Sequence, residues 1–216
     1  MPKIKYAIFD VGQTIYPFTL KPLHDLMHSL TSDIKSYENG KAVFNYDYDP
    51  YMKGELTDKD FAKDLCLFCH VEYTADILPQ INKALHLGCG KPFKETLQAI
   101  SSLQKAGIQI GILSNALPIL HDTKINLIKD SYVFTSYELG MLKPEPEIYQ
   151  RMQERLNVPF EQILFIDDKQ RNVLAAQTLG IHGIVYNKET ILNNLAAYLP
   201  PCLNTKNSTL FFKHQV

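Results

Sequence analysis

Short runs of apolar, β-rich residues recur along the chain: KYAIF at 5–9, IQIGIL at 108–113, ILFI at 163–166 and GIVY at 183–186, with a shorter YVF at 132–134. Such runs, lacking the polar alternation of a half-exposed strand, predict strands buried on both faces. Between the later runs the period changes. PEIYQRMQERL (146–156) and NVLAAQTLG (172–180) repeat apolar residues at helical spacing, and Gly180 is placed to stop the second helix. Strands that alternate with helices predict a parallel α/β sheet.

The first two strands are separated by about ninety residues, where a crossover needs a dozen or so. That segment has helix signals of its own. Thr57 precedes DKDFAKDLCLFC with Asp60 at the capping-box position, Thr74 opens ADILPQINKALHL, and Gly88 is placed to end that helix. A helical domain over 16–87, inserted into a Rossmann-like core of 1–15 and 88–200, is therefore expected. A helix over 91–106, stopped by Gly107, returns the chain to the sheet. The tail, 201–216, begins at a proline pair and either packs through Leu210, Phe211 and Phe212 or is disordered.

The 216 residues are 45% apolar and 21% charged, with a net charge of -1. This length suits one or two domains with a sizeable core. The charge balance gives no electrostatic reason to expect a nucleic acid or an anionic membrane as partner. No run approaches the roughly 18 apolar residues of a membrane span, and the first apolar run is too short for a signal peptide. A cytoplasmic monomer or homodimer is expected. Cys66 and Cys69 form a C-x-x-C inside a helical pattern, with no second pair to complete a zinc site, so they read as core residues. Cys89 and Cys202 complete no disulfide framework. Asn207 heads a glycosylation triplet that carries meaning only in a secreted chain. GCGK at 88–91 lacks the spacing of a phosphate loop.

Ligands of an open parallel sheet bind beyond the carboxyl ends of its strands. Asp10 stands there after the first strand, Ser114 and Asn115 after the second, and Asp167 and Asp168 after ILFI, while Lys143 lies in the loop ELGMLKPEPEIY. Taken singly, each has an ordinary explanation as a cap, a turn or a solvated lysine. Three acids, a hydroxyl and a lysine converging on one edge are far harder to explain that way.

With Asp10 and Thr14, then Ser114, then Lys143, then Asp167 and Asp168 with Asn172, the chain resembles the haloacid dehalogenase (HAD) superfamily over nearly its whole length. YMKGELTDKDFAKDLC, LGMLKPEPEIYQ and FIDDKQRNVLAAQTLGI make it most similar to the branch of sugar-phosphate phosphatases and the N-terminal domain of soluble epoxide hydrolase. The resemblance makes segment 16–87 a helical cap. It implies that Asp10 is a nucleophile that forms an aspartyl-phosphate, and that Mg²⁺ is held by Asp10, Asp168 and the Gly12 carbonyl. Lys143, Ser114 and Asn115 would bind phosphate, with the Asn115 amide at the start of a helix whose first turn holds Pro118. Thr14, Asp167 and Asn172 would support the site, and the partner would be a small phosphorylated metabolite.

One position departs from the family pattern. Phosphatases of the superfamily commonly have D-x-D, the second Asp serving as acid and base, and here that position is Gly12. General acid-base help is worth ~10² to 10⁴ in rate, so its loss slows a phosphatase without abolishing it. A dehalogenase or phosphonatase, and a non-catalytic binding protein, are the alternative readings. Tyr16, Phe18, Tyr46, Tyr48, Tyr51 and Lys53 are the cap residues expected either at the crevice or in the cap's own core.

Overall fold

The protein is described by a computed structural model that covers residues 4–121 and 131–199. The expectations for Cys202, Asn207 and the tail fall outside those residues. In chain order the main elements are β1 (Tyr6–Phe9), α1 (Lys21–Leu30), α2 (Asp58–Phe68), α3 (Ile77–Leu87), α4 (Lys94–Lys105), β2 (Gln109–Ser114), β3 (Tyr132–Thr135), α5 (Pro146–Leu156), β4 (Ile163–Asp167), α6 (Gln170–Thr178) and β5 (His182–Val185). The five strands form one parallel sheet in the order β3-β2-β1-β4-β5. Each coincides with a run picked out by the apolar pattern.

β1 occupies the centre because both of its faces are covered. Ala7 and Phe9 pack with Ile112, Ile166 and, from α4, Ala99 and Leu103. Ile8 points into a second cluster with Phe165 and, from α5, Ile148, Tyr149 and Met152. Each such fully buried side chain contributes about 1.5–3 kcal/mol. Phe165→Ala, which leaves a ring-sized void, costs about 3–5 kcal/mol.

Residues 21–87 contribute a third cluster, in which Leu23, Met27, Tyr51, Phe61, Leu65 and Ile81 pack together. Leu117 and Leu120, from the loop after β2, join it. The chain after β2 thus anchors these helices to the sheet, and the Tyr51 hydroxyl accepts a hydrogen bond from the Ile119 amide at 3.1 Å.

Thr57 caps α2 as expected, its hydroxyl oxygen accepting from the Asp60 amide. The Asp60 carboxylate accepts from that hydroxyl at 2.7 Å, a contact suited to its shorter reach. Cys66 and Cys69 are fully buried in the helical cluster. Burial pushes their thiols up to about 11 and about 12 respectively, which keeps both protonated and inert.

Three boundaries differ from the sequence reading. α3 begins at Ile77, because Thr74 turns its hydroxyl to Asp76 and heads a turn rather than the helix. α4 begins at Lys94, since Phe93 before it remains extended. Gly88 ends α3 as expected, without a left-handed backbone; a Cβ there would collide with the Thr19 carbonyl, so close approach is what requires glycine. Asn115 does not open a helix, for the next helical turn is the 3-10 segment Pro118–Leu120. Gly107 and Gly180 do stop their helices with positive φ, 77° and 95°.

Candidate active site

The strand order reverses direction at β1 and β4, the crevice where ligands of open α/β sheets bind. Register determines what meets there. Phe9 pairs with Ile112 on one side and Ile166 on the other, so Asp10, Ser114 and Asp167 leave the sheet at one edge. The Asp10 amide donates to the Ile166 carbonyl at 2.8 Å, which continues the ladder by one residue and fixes the acid's position.

After Asp10 the chain turns sharply. The Val11 carbonyl accepts from the Ile15 amide at 2.8 Å, and Gln13 takes a φ of 59°. The strain therefore sits at Gln13, whose side chain donates to the Phe18 carbonyl at 2.8 Å. Gly12 has no positive φ, and a Cβ added there would meet nothing within 4 Å. Thr14 is buried behind the turn, its carbonyl 2.7 Å from the Thr96 hydroxyl.

Lys143 enters from the loop before α5. Its Nζ lies 2.6 Å from Asp10 Oδ1, 2.7 Å from Asp167 Oδ2 and 2.8 Å from the Leu113 carbonyl. Asn115 braces that loop: its side-chain oxygen accepts from the Lys143 amide at 2.9 Å, and its side-chain nitrogen donates to the Lys143 carbonyl at 3.0 Å. Sequence reasoning assigned Asn115 only through its main chain; the clamp spans 28 residues and has no local signature. Asp167 is fully buried. Its carboxylate also accepts from both the Lys169 amide and the Asn172 side chain, and the Asn172 carbonyl accepts from Tyr149.

Burial pushes the Asp10 carboxyl up to about 6, against the pull of Lys143. Burial, followed by the charge of Asp167, also raises Asp168. Burial draws the Lys143 ammonium down, but Asp10 and Asp167 together outweigh it and its pKa is raised.

Asp10, Asp167 and Asp168 each offer an oxygen, and these atoms lie within 4.8 Å of one another. Three ionised carboxylates less one ammonium leave 3 - 1 = 2 negative charges, the complement of a divalent cation. The donors are all oxygen, which suits a hard cation. Asn172 Oδ1, buried at the crevice, has no hydrogen-bond partner among the described residues and is available to water around an ion. The residues fit Mg²⁺.

A crevice of about 680 Å³ opens over this edge. Asp10, Gly12, Ser114, Asn115, Lys143 and Asp168 all line it. Of the aromatic residues expected at the crevice, Phe18 and Tyr48 line it, and Tyr16 lines a smaller slot beside it. Tyr46 and Tyr51 are buried in the helical cluster, Tyr51 stacked 4.0 Å from Phe61. Lys53 pairs instead with Glu145 at 2.9 Å. Phe44 and Met52 line the crevice unforeseen, as do Lys169 and Arg171.

A family model, haloacid dehalogenase-like hydrolase, matches residues 4–180. The chain belongs to this hydrolase family. The chain is 27% identical over 155 residues to mouse acyl-CoA dehydrogenase family member 10, covering 69% of this chain and only 14% of that protein's length. It is 25% identical to the sesquiterpene phosphatase astK of Aspergillus oryzae (83% of this chain, 88% of the relative). It is 24% identical to an (S)-2-haloacid dehalogenase of Pseudomonas fluorescens (88% and 87%). A HAD family enzyme from Bacteroides thetaiotaomicron, solved in complex with magnesium and inorganic phosphate, superposes with a TM-score of 0.67 at 21% identity, over 86% of this chain and 95% of that one. Phosphatases and dehalogenases are thus both relatives.

Proposed function

We propose that the protein is a Mg²⁺-dependent phosphatase of small phosphorylated metabolites, with segment 16–87 as its cap. The observation that carries this reading is the cluster of Asp10, Asp167 and Asp168, with Lys143 bridging the first two. The Bacteroides enzyme's magnesium and phosphate, and the named phosphatase among the relatives, support it.

In this account Asp10 attacks the phosphorus atom, an Asp10 oxygen to phosphorus bond forms, and the ester oxygen leaves with the bonding pair. Water then cleaves the aspartyl-phosphate, releasing inorganic phosphate and restoring the carboxylate. At ~4 Å and an effective dielectric near 20, each like-charge pair opposes approach by about 4 kcal/mol. Mg²⁺, held by Asp10, Asp168 and the Gly12 carbonyl, would supply the charge that offsets this and would favour the ionised form of Asp10. Lys143 holds Asp10 in place and neutralises it. Ser114 and the Asn115 amide receive phosphate oxygens, and Asp167 and Asn172 orient Lys143. The departing oxygen takes its proton from water, since Gly12 offers none.

Dehalogenase chemistry is the second reading, favoured by the missing acid at Gly12 and the Pseudomonas relative. Net negative charge at Asp10, Asp167 and Asp168 disfavours a haloacid beside them when no divalent cation is bound, although Lys169 and Arg171 on the crevice wall favour either anion. The test is release of aryl alcohol from an aryl phosphate with and without Mg²⁺, beside halide release from a 2-haloacid. Mg²⁺-dependent aryl release supports the phosphatase; metal-independent halide release overturns it.

A further inference from the structure

We infer that the leaving group this crevice is shaped for is an apolar alcohol, a hydrocarbon chain carrying a single phosphate. The inference rests on the phosphatase reading and adds the substrate class. The helical segment lines the crevice with Phe18, Leu20, Phe44, Tyr48 and Met52. Leu117 and Leu142 continue this apolar lining from the sheet side.

The polar atoms on the cap lining are largely spent within the protein. The Tyr48 hydroxyl donates to the Val43 carbonyl at 3.0 Å, leaving the ring as its contribution, and the Thr19 hydroxyl accepts from the Lys21 amide at 3.1 Å. A sugar needs a partner for each hydroxyl it buries, because an unpaired polar group loses its hydration without return. This lining offers few. Asp49 is the charged residue that the helical segment adds, and Glu145 is held in an ion pair by Lys53. Asp49 disfavours a second anionic group on the helical side of the crevice, whereas Lys169 and Arg171 line it from the other side.

Phe44 carries further weight. The residue is 56% exposed and its ring stacks on His24 with centroids 5.0 Å apart, so the fold gains little from burying it. An apolar ligand in the crevice would cover that ring. The slot of about 80 Å³, lined by Val11, Tyr16, Cys89, Ala116 and Leu120, shares Gly12, Phe18, Ser114, Asn115 and Leu117 with the crevice. Apolar surface therefore reaches the reacting edge itself. Gly12 places no side chain between the two spaces.

The test is calorimetric titration of the Mg²⁺-loaded protein with non-hydrolysable n-alkylphosphonates of two to eight carbons, beside aryl phosphate turnover. Burying each methylene is worth about 0.8 kcal/mol, so affinity should rise about fourfold per carbon until the chain fills the lining. Phe44→Ser should weaken the octyl ligand at least threefold more than it weakens the ethyl ligand. Constant affinity from ethyl to octyl, or tighter binding of a sugar phosphonate, would overturn the inference. A flat series with active aryl turnover removes the inference and keeps the phosphatase. A rising series with no turnover keeps the apolar site and removes the phosphatase.

Discussion

Lys143 Nζ lies 2.6 Å from Asp10 and 2.7 Å from Asp167, so a single buried ammonium joins the carboxylate that closes β1 to the one that closes β4. Its side chain is 1% exposed. Two carboxylates at the centre of the sheet edge are tolerable only with that ammonium between them.

Removal of Lys143 should therefore affect the fold as well as the chemistry. Lys143→Met leaves the buried Asp167 without its cation, and breaking a buried pair from one side costs about 3–5 kcal/mol. Urea unfolding of the metal-free protein should show a midpoint lowered accordingly, and turnover should be lost. An unchanged midpoint would mean that the triad is not what balances these charges.

Asp168 offers an oxygen to the cluster and is only half-buried, without a bond to Lys143. Asp168→Ala should weaken Mg²⁺ binding at least tenfold by calorimetry and leave the metal-free protein as stable as before, since one fewer acid reduces repulsion. Undiminished Mg²⁺ affinity would exclude Asp168 from the site.

Stability of the metal-free protein should depend on pH through Asp10. Its folded pKa, about 6, is raised by burial above the unfolded value near 3.8. Between those values the unfolded chain gives up the Asp10 proton while the folded chain keeps it, so stability falls as pH rises through this window. Melting curves in chelator from pH 4 to 7 should show this decline in the wild type and a shallower one in Asp10→Asn, where Asp168, also raised by burial, still contributes. Mg²⁺, which prefers the ionised acid, should suppress it. Identical pH profiles for the two proteins would contradict the burial argument.

The backbone at Gly12 accepts a side chain. It has no positive φ and a Cβ meets nothing within 4 Å. Across aryl phosphates of graded leaving ability, the wild type should slow steeply as the leaving group worsens. Gly12→Asp should flatten that slope and raise turnover of poor leaving groups by at most ~10² to 10⁴. A wild-type series already flat, with chemistry rate-limiting, would show that another group protonates the departing oxygen.

The sheet was legible because its central strands are buried on both faces and so appear as apolar runs; β4, ILFID, is buried at every position, whereas the edge strands β3 and β5 expose Tyr132 and Val185. The acids were legible because strand ends and ligand crevices coincide in this architecture. α1 went unread although its signals are present: Thr19 accepting from the Lys21 amide, Pro22 in the first turn, and Leu23, Leu26, Met27 and Leu30 at helical spacing. Aromatic residues nearby drew attention to the crevice instead, yet Tyr46 and Tyr51 are buried in the helical cluster and the crevice takes Phe44 and Met52. Which face of a short helix meets the sheet depends on contacts between distant segments. The Asn115 clamp on Lys143 is of the same kind.

The central claim is that Asp10 becomes phosphorylated during turnover. Acid-quenching the Mg²⁺-loaded protein while it hydrolyses an aryl phosphate, and weighing the peptide that contains Asp10, tests it most directly. The account predicts a fraction of that peptide heavier by one phosphoryl group, absent without substrate and absent from Asp10→Asn, which should also be inactive. Undiminished turnover by Asp10→Asn, with no modified peptide at any quench time, would contradict it.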